Sequence, residues 1–339
     1  MPESSGESQV SGGNKGCSFS VLVSEPPTAE PIARESRSAE RGACLKEKDT
    51  NMNGPARTSA LAIALAGMVL SISGCNQLEA RNELNHGVEA YKSQRYEEAI
   101  GHFQKATQLD PNLPMAKTYL ATALAVNVVP GLDTPENIKA ANQAIAIFEE
   151  VLAKDPNDVN SLKQIGGIYY SIASPTNPDQ QRKNLENAKA WQKKVLAVDP
   201  KDPEAAYWIG MIDFTEAHQN ILKVLGPAGI TDDGAGNAKA PKKVMDPIKA
   251  ENGPLVAEGL QYLNQAVANR SNYDDAMAYL NLLYRRKADV DYGDETARKE
   301  DVAMADEWRT KAMGTRKANE AKKNAEPGGI TMDSNGNMK

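Results

Sequence analysis

The stretch Glu83–Pro111, ELNHGVEAYKSQRYEEAIGHFQKATQLDP, reads as two short amphipathic helices joined by a turn, Glu83 to Tyr91 and Tyr96 to Gln108. Gly87, Ala99, Phe103 and Ala106 recur at helical spacing, and Pro111 stops the second helix because it cannot extend the hydrogen-bond ladder. The ending Leu109-Asp110-Pro111-Asn112 returns as Lys154-Asp155-Pro156-Asn157-Asp158 and as Val198-Asp199-Pro200-Lys201-Asp202, with the prolines 45 and 44 residues apart. A two-helix unit of this length cannot bury its own apolar face, so neighbouring units must stack. The expected class is therefore an all-α array of stacked antiparallel helix pairs.

Four further units follow the first. The second, 114–158, carries Leu120-Ala121 and Leu124, then Ala144, Phe148 and Val151. The third, 159–202, carries Ile165-Gly166 and Tyr169, then Ala188, Trp191 and Val195. The fourth, 203–273, has Ile209-Gly210, then Leu263, Ala266 and the proline-less ending Arg270-Ser271-Asn272-Tyr273. The fifth, 274–316, has Leu280 and Tyr284, then Ala305, Trp308 and Ala312.

The run Gly87, Tyr96, Ala99, Phe103, Ala106, Pro111 resembles the tetratricopeptide repeat, and its recurrence extends the resemblance over about residues 80–316. The resemblance implies a right-handed α-solenoid in which a partner peptide lies in a groove lined by the first helices. The length departs from the family, whose unit is about 34 residues. The start signals Thr134-Pro135-Glu136 and Asn177-Pro178-Asp179 predict lengthened second helices over Asn137–Ala153 and up to Val198. In the fourth unit, Gly226-Pro227, Gly229, Gly234, Gly236, Pro241, Pro247 and Gly253-Pro254 predict an inserted loop over 225–254 with no long helix.

Within that insertion, Gly229-Ile230-Thr231-Asp232-Asp233-Gly234-Ala235-Gly236-Asn237-Ala238-Lys239 matches the end of the chain, Gly329-Ile330-Thr331-Met332-Asp333-Ser334-Asn335-Gly336-Asn337-Met338-Lys339. Asp and Asn at these positions predict a tight turn. A calcium loop would need more carboxylates and a ligand Glu at the proper spacing. Residues 317–339 read as a polar tail, with Arg316–Glu326 an Ala/Lys/Glu helix ending the array.

Composition narrows the function. The 339 residues are 40% apolar, 25% charged and only 5% aromatic, with net charge −6. An acidic chain with no dense Lys/Arg patch, in which Lys242-Lys243 and Lys322-Lys323 are short, argues against nucleic-acid binding. His86, His102 and His218 are too scattered for a metal cluster, and Cys17, Cys44 and Cys75 all precede the array. The acid pairs Glu97-Glu98, Glu149-Glu150, Asp232-Asp233 and Asp274-Asp275 lie on helix faces, at a helix start or in the insertion. No nucleophile elbow or phosphate loop is present, so no enzyme activity, cofactor or small-molecule substrate is expected.

The front end reads as an export signal. Leu61–Ile72, LAIALAGMVLSI, follows Arg57 and precedes Ser73-Gly74-Cys75. A helix of that length spans about 18 Å, short of a bilayer's apolar core. Ile72-Ser73-Gly74-Cys75 resembles the bacterial lipobox, which implies a signal peptide over 52–75 and lipidation of Cys75. Asn76 in place of Asp implies the outer membrane, facing the periplasm. Residues 1–51, rich in Ser, Glu, Gly and Arg, read as a disordered or non-native extension, with Met52 as the expected start.

The function implied is a lipid-anchored scaffold for a protein or peptide partner in the bacterial envelope. The plan is similar to lipoproteins of outer-membrane β-barrel assembly and of pilus secretin assembly. By helical phase the groove should present Tyr91, Thr122, Lys163, Tyr170, Tyr207, Met211, Phe214, Leu282 and Arg285. The middle of that surface, Tyr170 to Phe214, is expected to be apolar and adaptable. Other readings are self-packing of those residues against the insertion or a C-terminal helix, a glycan-binding protein, and an enzyme with its site in 225–254.

Overall fold

In the computed structural model, which describes residues 76–325, each Asp-Pro punctuation becomes the same turn. Asp110, Asp155 and Asp199 accept the backbone N–H of Asn112, Asn157 and Lys201 at 3.0, 3.1 and 3.0 Å. The second aspartate then caps the next helix: Asp158 takes the Ser161 N–H, and Asp202 takes those of Glu204 and Ala205. Short carboxylates thus satisfy donors that a helix start leaves without partners.

The described residues form ten helices and no strand. They are α1 (76–92), α2 (Tyr96–Leu109), α3 (Pro114–Asn127), α4 (Pro135–Leu152), α5 (Val159–Ser171), α6 (Pro178–Val198), α7 (Pro203–Leu225), α8 (Lys242–Asn269), α9 (Asp274–Val290) and α10 (Glu295–Ala325). The chain divides between Glu79 and Ala80 into two units; the architecture that follows is that of the second. From α2 onward each helix packs on its successor, and α3 also meets α5 as α7 meets α9. This alternation of helix pairs is the expected all-α solenoid.

Small residues decide where helices cross. Ala99, Ala144, Ala188, Ala266 and Ala305 on the second helices are fully buried. Opposite them, Gly87 lies against the Phe103 ring, and Gly166 and Gly210 lie against Gln192 and Leu263. Phe103 and Phe148 fill the gaps between pairs, each burial worth about 2–3 kcal/mol. In the third unit that slot belongs to Gln192 rather than Trp191. Gln192 is four residues after Ala188 and so shares its face; Trp191 stays at the rim with Lys194 over its ring.

The second helices are long, as the start signals require. α2 has 14 residues, whereas α4 has 18 and α6 has 21. Thr134 and Asn177 cap α4 and α6 with their side chains.

The insertion differs from its reading. Only residues 226–241 form a loop, and α8 runs 28 residues from Lys242 with Pro247 and Pro254 inside it. An internal proline costs a helix about 3 kcal/mol. Burial outweighs that cost here: Met245 and Ile248 pack on Ile221 and Leu225, and Asn252 donates to the Ala217 carbonyl while accepting from Asn220.

Candidate interaction surface

The residues expected in the groove sit on α1, α3, α5, α7 and α9, and most are held by the fold itself. Tyr91, at the end of α1, meets Tyr96 edge-on at 5.4 Å, and burial followed by that ring pushes its hydroxyl up to about 12. Thr122 turns its hydroxyl back to the Thr118 carbonyl. Lys163 of α5 spans to Asp202 at 2.6 Å and Glu204 at 2.9 Å, at the start of α7. Burial opposes its charge, yet the two carboxylates hold the ammonium above its ordinary range. It fastens unit three to unit four.

Tyr170, Tyr207, Met211 and Phe214 do come together, but as a seam between helices. Tyr170 meets Trp208 at 5.2 Å, Tyr207 meets Tyr273 and Tyr279 at 5.1 and 5.5 Å, and Phe214 lies between Tyr279 and His218. Burial drives the Tyr207 hydroxyl far above its usual range. Met211 corrects the expectation most clearly: at 3% exposed it packs under Tyr170, Tyr207 and Trp208 and offers no surface. The seam needed Trp208 and Tyr279, which the groove reading missed. Tyr119, Trp208 and Tyr279 each precede the unit's buried Leu120, Ile209 or Leu280 by one residue, and that shared offset was the available signal.

On α9, Leu282 is half-buried, and Arg285 is engaged. Its guanidinium donates to the Gly234 carbonyl of the insertion at 2.9 Å and to Asp306 of α10 at 2.9 Å. For Arg285, packing against the insertion and the last helix is therefore what the structure shows.

The loop 226–241 is pinned along its length. Asp233 accepts the N–H groups of Ala235 and Asn237, and Asn237, at φ +47°, accepts from the Asp233 N–H. The Asn237 amide donates to Asp289, and Asp232 pairs with Arg286 at 2.9 Å. Arg298 donates to the Ala235 carbonyl, and Tyr292 to that of Ala240. The turn is thus an aspartate–asparagine lock. Asp289 is fully buried; burial lifts its carboxyl to about 7 even against Arg286. Burial and then the Arg286 charge lower the value of His218.

A second buried charge group joins α6, α7 and α8. Lys189 reaches Asp213 at 2.7 Å, Glu258 at 3.1 Å and Glu216 at 3.6 Å, while Lys193 takes the other oxygen of Glu258 at 2.6 Å. Three carboxylates share one deep ammonium, which stays charged. Asp213 has no exposure, so burial wins there and raises its carboxyl to about 7. Both groups use their charges on each other. Among the described residues no set of three or more His, Cys, Asp or Glu could hold a metal ion.

A pocket of about 710 Å³ opens between α6, α7 and α8. Pro175, Pro178, Pro254 and Leu255 give it apolar surface, Arg182, Glu216, Lys223 and Glu251 line it as well, and Leu222 is 53% exposed beside them. Among the described residues no helix is long and apolar enough to cross a membrane. Cys75, the segment Leu61–Ile72, residues 1–51 and the tail 329–339 lie outside the described residues.

Comparison with known proteins places these features. A tetratricopeptide-repeat model matches residues 87–113, which run from Gly87 in α1 through α2 to its Asp-Pro turn. The human antiviral innate immune response effector IFIT1 is 33% identical over 127 residues, 34% of this chain and 26% of that protein, so the match spans about a quarter of that relative's length. Among solved structures, MamA (41-end) from Desulfovibrio magneticus RS-1 covers 71% of this chain and 96% of its own, at 16% identity and TM-score 0.44. TTC0263, a thermophilic TPR protein of Thermus thermophilus, covers 71% and 97% at 18% identity and TM-score 0.35. YrrB, a TPR protein with an unusual peptide-binding site, covers 69% and 90% at 13% identity and TM-score 0.40. The chain thus contains a tetratricopeptide-repeat unit at 87–113 within an all-helical solenoid.

Proposed function

We propose that this chain is a non-enzymatic scaffold that binds a protein or peptide partner, held to a bacterial membrane by lipid on Cys75. The observation that carries the binding half is the pocket between α6, α7 and α8, where Leu222 is exposed among the described residues. An apolar side chain of a partner segment fits there. The family of the matched repeat generally mediates protein–protein interaction, which agrees with this reading.

The anchoring half rests on the run Leu61–Ile72 followed by Ser73-Gly74-Cys75, and on Asn76 for an outer-membrane address facing the periplasm. Assembly of outer-membrane or pilus secretion complexes is the role this plan suits. The test uses the full chain in its bacterial host. A clickable fatty acid should label it, and Cys75→Ser should abolish the label. Envelope proteins that co-purify with the native chain should be lost with Leu222→Arg at unchanged melting temperature. An unlabelled native chain overturns the anchor, and identical co-purification with Leu222→Arg overturns the pocket as the binding face.

A further inference from the structure

A second pocket, of about 480 Å³, opens between α4, α5 and α6 beside the turn at 172–177. Ile138 and Ile172 give it apolar surface and Tyr169 a ring, and Asn142, Lys183 and Asn187 stand around it. Most polar groups nearby have structural work. Asn184 donates to the Ile172 carbonyl at 2.9 Å and accepts from Gln180 at 3.0 Å, Asn177 caps α6, and Asp133 accepts from Thr176. Asn142, Asn187 and Lys183 have none: their side chains make no hydrogen bond among the described residues.

We propose that this pocket binds an N-acetylated sugar, two or three rings of a glycan chain. The assignment goes beyond the scaffold reading and does not depend on it. Free side-chain amides from α4 and α6 in one pocket present both donors and acceptors, which matches hydroxyls and the acetamido group of such a sugar. The acetyl methyl finds the Ile138–Ile172 surface, and a sugar's C–H face finds the Tyr169 ring. Asp133 and Lys183, one charge of each sign, leave the site near neutral, so a phosphate is a poor occupant. An extended peptide needs a row of partners in register along one groove. Here two unused amides from different helices line one short pocket, which favours the sugar.

The test is calorimetric titration of the purified full chain with three probes: N,N′,N″-triacetylchitotriose, cellotriose and N-acetyl-trialanine amide. Triacetylchitotriose should bind, cellotriose should bind at least about tenfold more weakly, and the peptide should not bind. The double variant Asn142→Ala/Asn187→Ala should lose at least about tenfold in affinity for the acetylated sugar at unchanged melting temperature, since neither side chain hydrogen-bonds among the described residues. Absence of triacetylchitotriose binding at millimolar concentration overturns the proposal. So does equal binding of cellotriose, preference for the peptide, or full affinity in the double variant.

Discussion

Gly210 has no room for a methyl group, because a Cβ there would stand 2.4 Å from Leu263 Cγ and 2.9 Å from the Gly259 carbonyl oxygen. Gly167, in the middle of α5, has nothing within 4 Å of that position. Gly210→Ala should therefore cost about 1–3 kcal/mol through overpacking, while Gly167→Ala should gain about 0.4–1 kcal/mol by restricting the unfolded chain. Urea midpoints of the two variants read the difference, and equal shifts would mean the crossing lies elsewhere. Asp213 carries a pH dependence. Its carboxyl rises from 3.8 to about 7 in the fold, so between those values the native state keeps a proton that the unfolded chain has released. Stability should then fall as pH rises from about 4 to about 7, by at most about 1.4 kcal/mol per pH unit, and Asp289 adds a slope of the same sign. Asp213→Asn should flatten the difference between urea stabilities at acid and neutral pH; an unchanged difference would place the proton on another group. Only the first of these roles was legible beforehand. Gly210 stood out by helical spacing, but nothing local marks Asp213, whose burial is made by Lys189 and Gly259 from other helices.

Among the helices, α8 is where local rules gave the wrong answer. Pro247, Gly253 and Pro254 argue for a loop, yet the helix continues because Met245, Ile248 and Val256 find apolar partners on neighbouring elements. The adjoining loop behaves more as its residues suggest, since Asp and Asn supply the turn, but its anchors Arg286, Asp289 and Arg298 are about 50 to 60 residues further along. Asn237 holds both ends of this lock and also takes a left-handed backbone. Asn237→Ala should cost about 2–4 kcal/mol, combining lost hydrogen bonds, the unpaired Asp289 and backbone strain. Asn237→Gly should recover the backbone part alone. Thermal melts rank the pair, and hydrogen exchange should rise over 230–241 in both. Equal melting temperatures for Ala and Gly would show that the positive φ carries no cost.

Across the solenoid, contacts run between neighbours in chain order, so a weakened joint should loosen its own surroundings first. Lys163, with Asp202 and Glu204, is such a joint between α5 and α7. Lys163→Ala leaves Asp202, which is 8% exposed, without its cation and should cost about 1–3 kcal/mol. Hydrogen exchange should quicken in α5 and the first turns of α7, while α2 and α3 keep their protection. Uniform loosening from α2 to α10 would mean that the array unfolds as one block.

What the chain by itself determined is everything written in short-range chemistry. The repeating Asp-Pro turns, the caps Thr134, Asn177, Asp158 and Asp202, and the small-residue crossings at Gly87, Gly166 and Gly210 follow from hydrogen-bond donors at helix starts and from 3.6-residue spacing. What only the tertiary structure decided is what each side chain meets across a helix boundary. Met211 turned inward, Arg285 was spent on the insertion, Gln192 displaced Trp191, and Asn142 and Asn187 were left facing a pocket. Helical phase tells which face a residue occupies to within about one position, and a one-residue rotation of about 100° is the difference between a buried residue and an exposed one. Only the neighbouring helices settle that rotation, because burial is a property of the pair.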